Sequence, residues 1–209
     1  MRYFISDLHF YHENIIKLDG RPFVDCHEMN DSLIDIWNSR VKSDDEIFVL
    51  GDFSTGTGEE TNYILDKLDG IKYLIVGNHD KYLSDKTFDR SKFKWIKPYF
   101  ELRDGNYRVI LSHYPIFCYN GQQYINELGV SNTYMFYGHV HNSEDEHMID
   151  RFIKETRKNM RTNIAGLMYN LPCNMVNCFC QFSNYIPLSL EEWIETDTIR
   201  RNVLSQVKQ

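Results

Sequence analysis

No stretch of this chain approaches the roughly 18 consecutive apolar residues that a membrane-spanning helix needs. The first apolar run, Met1 to Ile5, meets Ser6 and Asp7 too soon to act as a secretory signal. The cytosol is therefore the expected compartment, and no membrane partner is expected. Positive charge is scarce too: 23 Lys and Arg stand against 30 Asp and Glu, a formal net charge of -7 with a pI near 5.6. That balance argues against gripping nucleic acid or an anionic bilayer through a broad basic face, and any anionic substrate needs a local source of positive charge. Paired thiols are also missing. The five cysteines, Cys26, Cys118, Cys173, Cys178 and Cys180, are an odd and scattered set without a C-x-x-C pair, which is the pattern of reduced thiols. Cys178 and Cys180 fall two apart in a run read as one strand, so both are expected on one side of a sheet as small core residues. No internal repeat, low-complexity tract or linker interrupts the 209 residues, and one domain over 1–209 is the economical organisation.

What is present is an ordinary globular balance, 42% hydrophobic and 25% charged, enough to bury a substantial core. Arg2 to Ser6 is a short β-rich run followed at once by Asp7-Leu8-His9. Asp25, with Glu28 three residues on, caps a helix that carries Met29, Leu33, Ile36 and Trp37 at helical spacing to about Arg40. Glu46 to Leu50 is a strand ending in Gly51-Asp52. Glu59 to Leu68 is an amphipathic helix stopped by Asp69-Gly70, and Lys72 to Val76 is a strand ending in Gly77-Asn78-His79-Asp80. A β-like run thus delivers a polar group at its C-terminal end three times over, with helices between. This is the arrangement of an α/β sheet whose ligand site lies beyond the strand ends.

The second half is richer in strands. Phe100 to Arg103 and Tyr107 to Leu111 flank a hairpin turn, Asp104-Gly105-Asn106, and the second of them runs into Ser112-His113-Tyr114-Pro115. Tyr134 to Tyr137 leads into Gly138-His139-Val140-His141. His147 to about Asn159 reads as a helix, Met175 to Phe182 as a last strand, and Ser189 with Glu192 as a capping box for a terminal helix. Trp37, Trp95 and Trp193 read as packing residues, and His27 and His147 as ordinary solvated histidines.

Two imidazoles in one H-x-H would share a face if the strand ran on, and so could meet one ligand; alternatively one caps a turn and the other is solvated. The other strand ends weigh on that choice. Together they offer Asp7 and His9, Asp52, Asn78 with His79 and Asp80, His113, His139 and His141. Carboxylate, amide oxygen and imidazole without thiolate suit divalent manganese, iron or zinc and argue against a structural zinc site. There are too many ligands for one ion, and a carboxylate can bridge two cations held about 3.5–4 Å apart to clamp a phosphoryl group.

The ordered blocks D-x-H, G-D, G-N-H-D, H and G-H-x-H, running from Asp7 to His141, resemble those of the calcineurin-like metallophosphoesterase superfamily. Ser6 to Ile16 (SDLHFYHENII), Arg21-Pro22-Phe23, Leu50 to Phe53, Gly77 to Asp80, Ser112 to Pro115 and the tail Asn184 to Glu192 are similar to its small bacterial and phage phosphoesterases. The resemblance implies a four-layer α/β/β/α sandwich and two divalent ions drawn from manganese, iron, zinc or nickel. It assigns Asp7, His9, Asp52 and His141 to one ion, with Asp52 bridging to a second that also takes Asn78, His113 and His139. It further implies hydrolysis of a small phosphodiester or phosphomonoester, such as a nucleotide. Hydroxide between the ions would attack phosphorus in line while His79 protonates the departing alkoxide.

The chain departs from the family's protein phosphatases in Gly51 to Gly56, which lacks both their histidine-supporting aspartate and their phosphate-binding arginine; this argues against protein-serine/threonine phosphatase activity. Asp80 either orients His79, or pairs with a backbone amide or caps the helix after it. His12, Asn14 and Arg21 are the candidates for binding phosphate, arginine because of its bidentate fit. Two other readings are a non-catalytic metal-binding module of the same fold and a DNA nuclease. The acidic balance speaks against the nuclease. Residues 119–132 and 142–171 are expected to shape specificity.

Overall fold

A computed structural model describes residues 1–126, 129–162, 166 and 168–207, the last four for their backbone only. Within the two segments expected to shape specificity, residues 127, 128, 163–165 and 167 lie outside the described residues. Buried Ile, Val, Leu and Phe runs make β1 (Arg2–Ile5), β2 (Glu46–Val49) and β3 (Ile71–Ile75). With the short β4 (Ile96–Lys97) they form one wholly parallel sheet in the order β1-β2-β3-β4, and the near-continuous apolar runs are what a sheet covered on both faces requires. Its crossovers contain α1 (Glu13–Asp19), α2 (Cys26–Arg40) and α3 (Gly58–Lys67). The carboxylate of Asp25 accepts from the Glu28 amide and starts α2. Thr57 and Glu60 form a reciprocal capping box at α3.

β5 (Tyr99–Asp104) and β6 (Tyr107–Ser112) pair antiparallel, and Asp104 lies opposite Tyr107, so the turn is the two residues Gly105-Asn106 with Gly105 at φ +53°. β7 (Thr133–Tyr137) joins β6 in parallel. After it come α4 (Glu144–Lys158) and a small hairpin, β8 (Met160–Thr162) with β9 (Met168–Asn170). β10 (Met175–Asn177) completes a second sheet in the order β10-β7-β6-β5, and α5 (Leu190–Val207) ends the described chain.

Three buried clusters fix the layers. Met29, Leu33 and Trp37 of α2 and Ile64 and Leu65 of α3 pack on one face of the first sheet. Phe4, Phe48, Leu111, Phe136 and Trp193 fill the space between the sheets. Ile149 and Ile153 of α4 cover the outer face of the second sheet with Ile110 and Met135. The result is the α/β/β/α sandwich. Among the described residues no helix is long and apolar enough to cross a membrane.

Three local expectations are corrected. The last strand stops at Asn177 rather than Phe182, because the chain crosses from one sheet to the other. The Asn177 side chain accepts from the Phe179 amide, Cys180 N donates to Ser6 O, and Cys180–Ser183 turns as a 3-10 helix. Cys178 and Cys180 consequently do not share a face: Cys178 lies between the sheets and Cys180 beneath the helices. α4 begins at Glu144, not His147, with the Ser143 hydroxyl accepting from the Asp145 amide.

Candidate metal centre

Five of the parallel strands end by handing polar side chains to the same side of the molecule: Asp7 and His9 after β1, Asp52 after β2, Asn78 and His79 after β3, His113 after β6, and His139 and His141 after β7. The backbone there is unusual. Asp7 (φ 57°), His9 (56°), Asp52 (51°), His139 (72°) and His141 (48°) all adopt the left-handed conformation, which costs a non-glycine residue of the order of 1–3 kcal/mol and persists only where the surroundings impose it. Two glycines let the loops close in. A Cβ on Gly77 would sit 2.2 Å from Asp52 Oδ1, and one on Gly138 would sit 2.5 Å from Asp7 Oδ2.

These turns gather two sets of ligand atoms, Asp7 with His9 and His141, and Asp52 with His113 and His139. Nε2 of His9 lies 3.2 Å from Nε2 of His141, which lies 3.6 Å from Asp7 Oδ1. Asp52 Oδ2 stands between the sets, 3.7 Å from His9 Nε2 and 3.5 Å from His113 Nε2. Asn78 Oδ1 is 3.0 Å from His113 Nε2. Metal–ligand bonds of about 2.1 Å imply ligand-to-ligand edges of about 3.0–3.4 Å in octahedral to tetrahedral sites; the separations of 3.0 to 3.7 Å lie within that range or a few tenths of an ångström above it, close to what two cations need.

The electrostatics fit as well. Asp7 and Asp52 are fully buried, an expensive state for carboxylates without compensating charge. Burial pulls the His113 and His141 imidazoles down, yet Asp52 beside His113, and Asp19 and Asp7 beside His141, lift both to about 9. Burial holds His9 near 3. Protons on His113 and His141 thus supply, in the metal-free chain, the positive charge that divalent cations would bring.

Comparison with known proteins agrees with this geometry. The family model for calcineurin-like phosphoesterase matches residues 3–172. The chain belongs to that family. It is 34% identical over 170 residues to an uncharacterised protein of Methanocaldococcus jannaschii, covering 80% of this chain and 83% of that one. It is 29% identical over 134 residues to the gene 66 protein of Mycobacterium phage L5, covering 54% and 62%. Among solved structures, a protein of unknown function from Aquifex aeolicus superposes with a TM-score of 0.59 at 27% identity, over 92% of this chain and 96% of that one.

In this calcineurin-like chain the ligands are held from behind. Nδ1 of His113 is 2.8 Å from Leu50 O, which places its hydrogen on that nitrogen and frees Nε2. Nδ1 of His141 is 2.8 Å from Asp19 Oδ1, a carboxylate–histidine pairing of the kind that fixes tautomer and raises ligand basicity. Asp19 carries no motif of its own and is not legible as a site residue; the nearest signal is its place at the end of α1, two residues before Arg21. The Asp19 carboxylate accepts from Nε and Nη2 of Arg21 at 3.1 and 2.9 Å.

That contact overturns the expectation for Arg21. Its buried guanidinium also donates to Leu8 O at 2.7 Å and Asp7 O at 2.9 Å, so every part of the fork braces the first ligand loop and nothing is left for phosphate. Asn14 is corrected too, being exposed on α1 and outside the cavity lining. Asp80 does not orient His79. Its carboxylate accepts from the amides of Gly77 (2.7 Å), Phe53 (2.8 Å) and Asp52 (3.1 Å), clamping the second and third ligand loops together. Burial pushes it up to about 6 against the pull of those amides. His79 donates its amide to Asp52 Oδ1 at 2.7 Å.

The rings of His79 and His12 face a cavity of about 830 Å³, ample for a small ligand. Their centroids are 5.8 Å apart and lie 5.3 and 5.1 Å from that of His9. His12 Nδ1 is 3.2 Å from His9 Nδ1. Ile15, Leu18, Val140 and Phe182 form an apolar wall, and among the described residues none that lines the cavity is Lys or Arg.

Proposed function

We propose that this protein hydrolyses a small phosphodiester or phosphomonoester, with two divalent cations held by Asp7, His9, Asp52 and His141 and by Asp52, Asn78, His113 and His139. The observation that carries this reading is the meeting of two ligand sets, with Asp52 between them, at one edge of an open cavity. Bound there, the cations supply charge neutralisation and water of lowered pKa. His79 and His12 supply what the ligands cannot. His79 gives a proton to the departing alkoxide, a task suited to imidazole. With His9 ligating through Nε2, its Nδ1 hydrogen points to His12 Nδ1, which leaves the His12 hydrogen on the other nitrogen as a donor to a phosphoryl oxygen.

Among the described residues the lining has no Lys or Arg, which supports a small ester over a polynucleotide, whose binding rests on many basic contacts to phosphate. The test is a screen of protein reconstituted with manganese, zinc, iron, cobalt or nickel. Substrates are bis-p-nitrophenyl phosphate, p-nitrophenyl phosphate and a panel of cyclic and linear nucleotides, with Asp52→Asn as control. Turnover that Asp52→Asn abolishes supports the reading. Silence on every ester with every metal overturns it and favours a non-catalytic metal-binding module.

A further inference from the structure

We propose that Asn177 is a positioning residue for His141, steadied by a buried cluster from α4 and α5, so that the docking of the terminal helix sets the geometry of the Asp7, His9 and His141 set. Asn177 closes β10 opposite Tyr137 and is 1% exposed. Its Nδ2 donates to His141 O at 3.0 Å and to Glu146 Oε2 at 3.1 Å, and its Oδ1 accepts from Phe179 N at 3.0 Å. Both amide hydrogens and the carbonyl are therefore engaged. The two groups it grips near the site both bear on where His141 stands, alongside the Asp19 carboxylate on Nδ1. One is the histidine's own backbone, in the left-handed conformation at φ 48°. The other is Phe179, whose ring stacks on the imidazole with centroids 4.6 Å and planes 17° apart.

The far side of Asn177 is anchored to a carboxylate with no exposure at all. Glu146 Oε2 also accepts from Tyr137 Oη at 2.8 Å, and Glu146 Oε1 lies 2.5 Å from Arg200 Nη2 and 3.3 Å from Arg201 Nη2. Arg201 in turn donates to Met175 O at 3.2 Å, tying α5 to the strand that ends in Asn177. Helix docking alone is served by Glu146 with the two arginines. The contacts of Asn177 to His141 and Phe179 add nothing to that docking; they carry it to the H-x-H loop. Outer contacts of this kind change metal affinity by roughly 10–100-fold when removed.

The inference rests on the two-cation reading, and its test separates the two. Manganese is titrated calorimetrically into two single-set backgrounds, His113→Ala, which keeps Asp7, His9 and His141, and His9→Ala, which keeps Asp52, His113 and His139. Adding Asn177→Ala should weaken binding about 10–100-fold in the first and leave the second unchanged. Phe179→Leu, which keeps apolar bulk but loses the flat face, should give a smaller fall with the same selectivity and stands in if Asn177→Ala fails to fold. Ile153→Ala, buried in α4 away from the site, should lower the melting temperature and change neither affinity. Equal losses in both backgrounds, or none in either, overturn the role of Asn177. An unmutated chain that takes up none of manganese, zinc, iron, cobalt or nickel overturns the two-cation reading, and the inference with it.

Discussion

Asp19 Oδ1 lies 2.8 Å from Nδ1 of His141 while Nε2 of the same ring faces Asp7 at 3.6 Å, so one imidazole joins a carboxylate behind the site to the ligand set in front. Asp19→Asn retains an acceptor but removes the charge that favours an electron-rich ring. Metal affinity of the Asp7, His9 and His141 set should fall about 10–100-fold, with the Asp52, His113 and His139 set spared. Calorimetric titration in the His113→Ala and His9→Ala backgrounds reads both; equal losses would remove Asp19 from the supporting role.

Arg21 should behave as a brace and not as a substrate contact. Its fork spans Asp19 and the carbonyls of Asp7 and Leu8, a geometry that lysine does not reproduce. Arg21→Ala removes the donors to the buried Asp7 and Leu8 carbonyls and to Asp19 Oδ2, a loss of the order of 3–5 kcal/mol, and Arg21→Lys recovers only part of it. Urea unfolding gives that number. In protein kept folded and metal-loaded, KM for a small ester should stay near the wild-type value; a large rise in KM at unchanged stability would restore the phosphate-binding role.

Metal binding and pH should be coupled with a definite sign. His113 and His141 are lifted to about 9 in the metal-free chain, whereas ligation requires neutral imidazole. Loading therefore releases protons below about pH 9, and apparent affinity should rise with pH up to that point. Folded-state values above the ordinary histidine value near 6.5 mean that the metal-free fold gains stability from these protons. The gain is complete below about pH 6.5 and is lost as pH climbs towards 9. Melting temperatures in chelator should fall across that window, while those of the metal-loaded protein should not.

The sequence shows most clearly what is covalently adjacent. A polar pair directly after a buried β-run places a side chain at a sheet edge, which is why Asp7, Asp52, Asn78, His113, His139 and His141 could be read as one group. Asp19 and Asn177 could not, because their partner His141 lies 122 and 36 residues away. Nor could the split of Cys178 from Cys180, since alternation holds only while a strand continues and this one ends at Asn177 to change sheets. The left-handed turns escaped for a related reason. Only a few per cent of non-glycine residues adopt that conformation, and although Asp and His do so more readily than most, their many ordinary occurrences leave nothing local to single out Asp7, His9, Asp52, His139 and His141.

His79 presents a ring to the cavity while its amide is spent on Asp52, so removing the ring need not disturb the ligands. His79→Ala should cost about 10²–10⁴-fold in kcat for an ester whose alkoxide must be protonated to leave. The same change should cost far less for a nitrophenyl ester, since nitrophenolate departs without a proton, and metal content should stay at the wild-type level. Equal losses on both substrates would strip His79 of the acid role and point to His12, whose ring lies 5.8 Å away across the same cavity. His12→Ala would then show the leaving-group dependence that His79→Ala lacks.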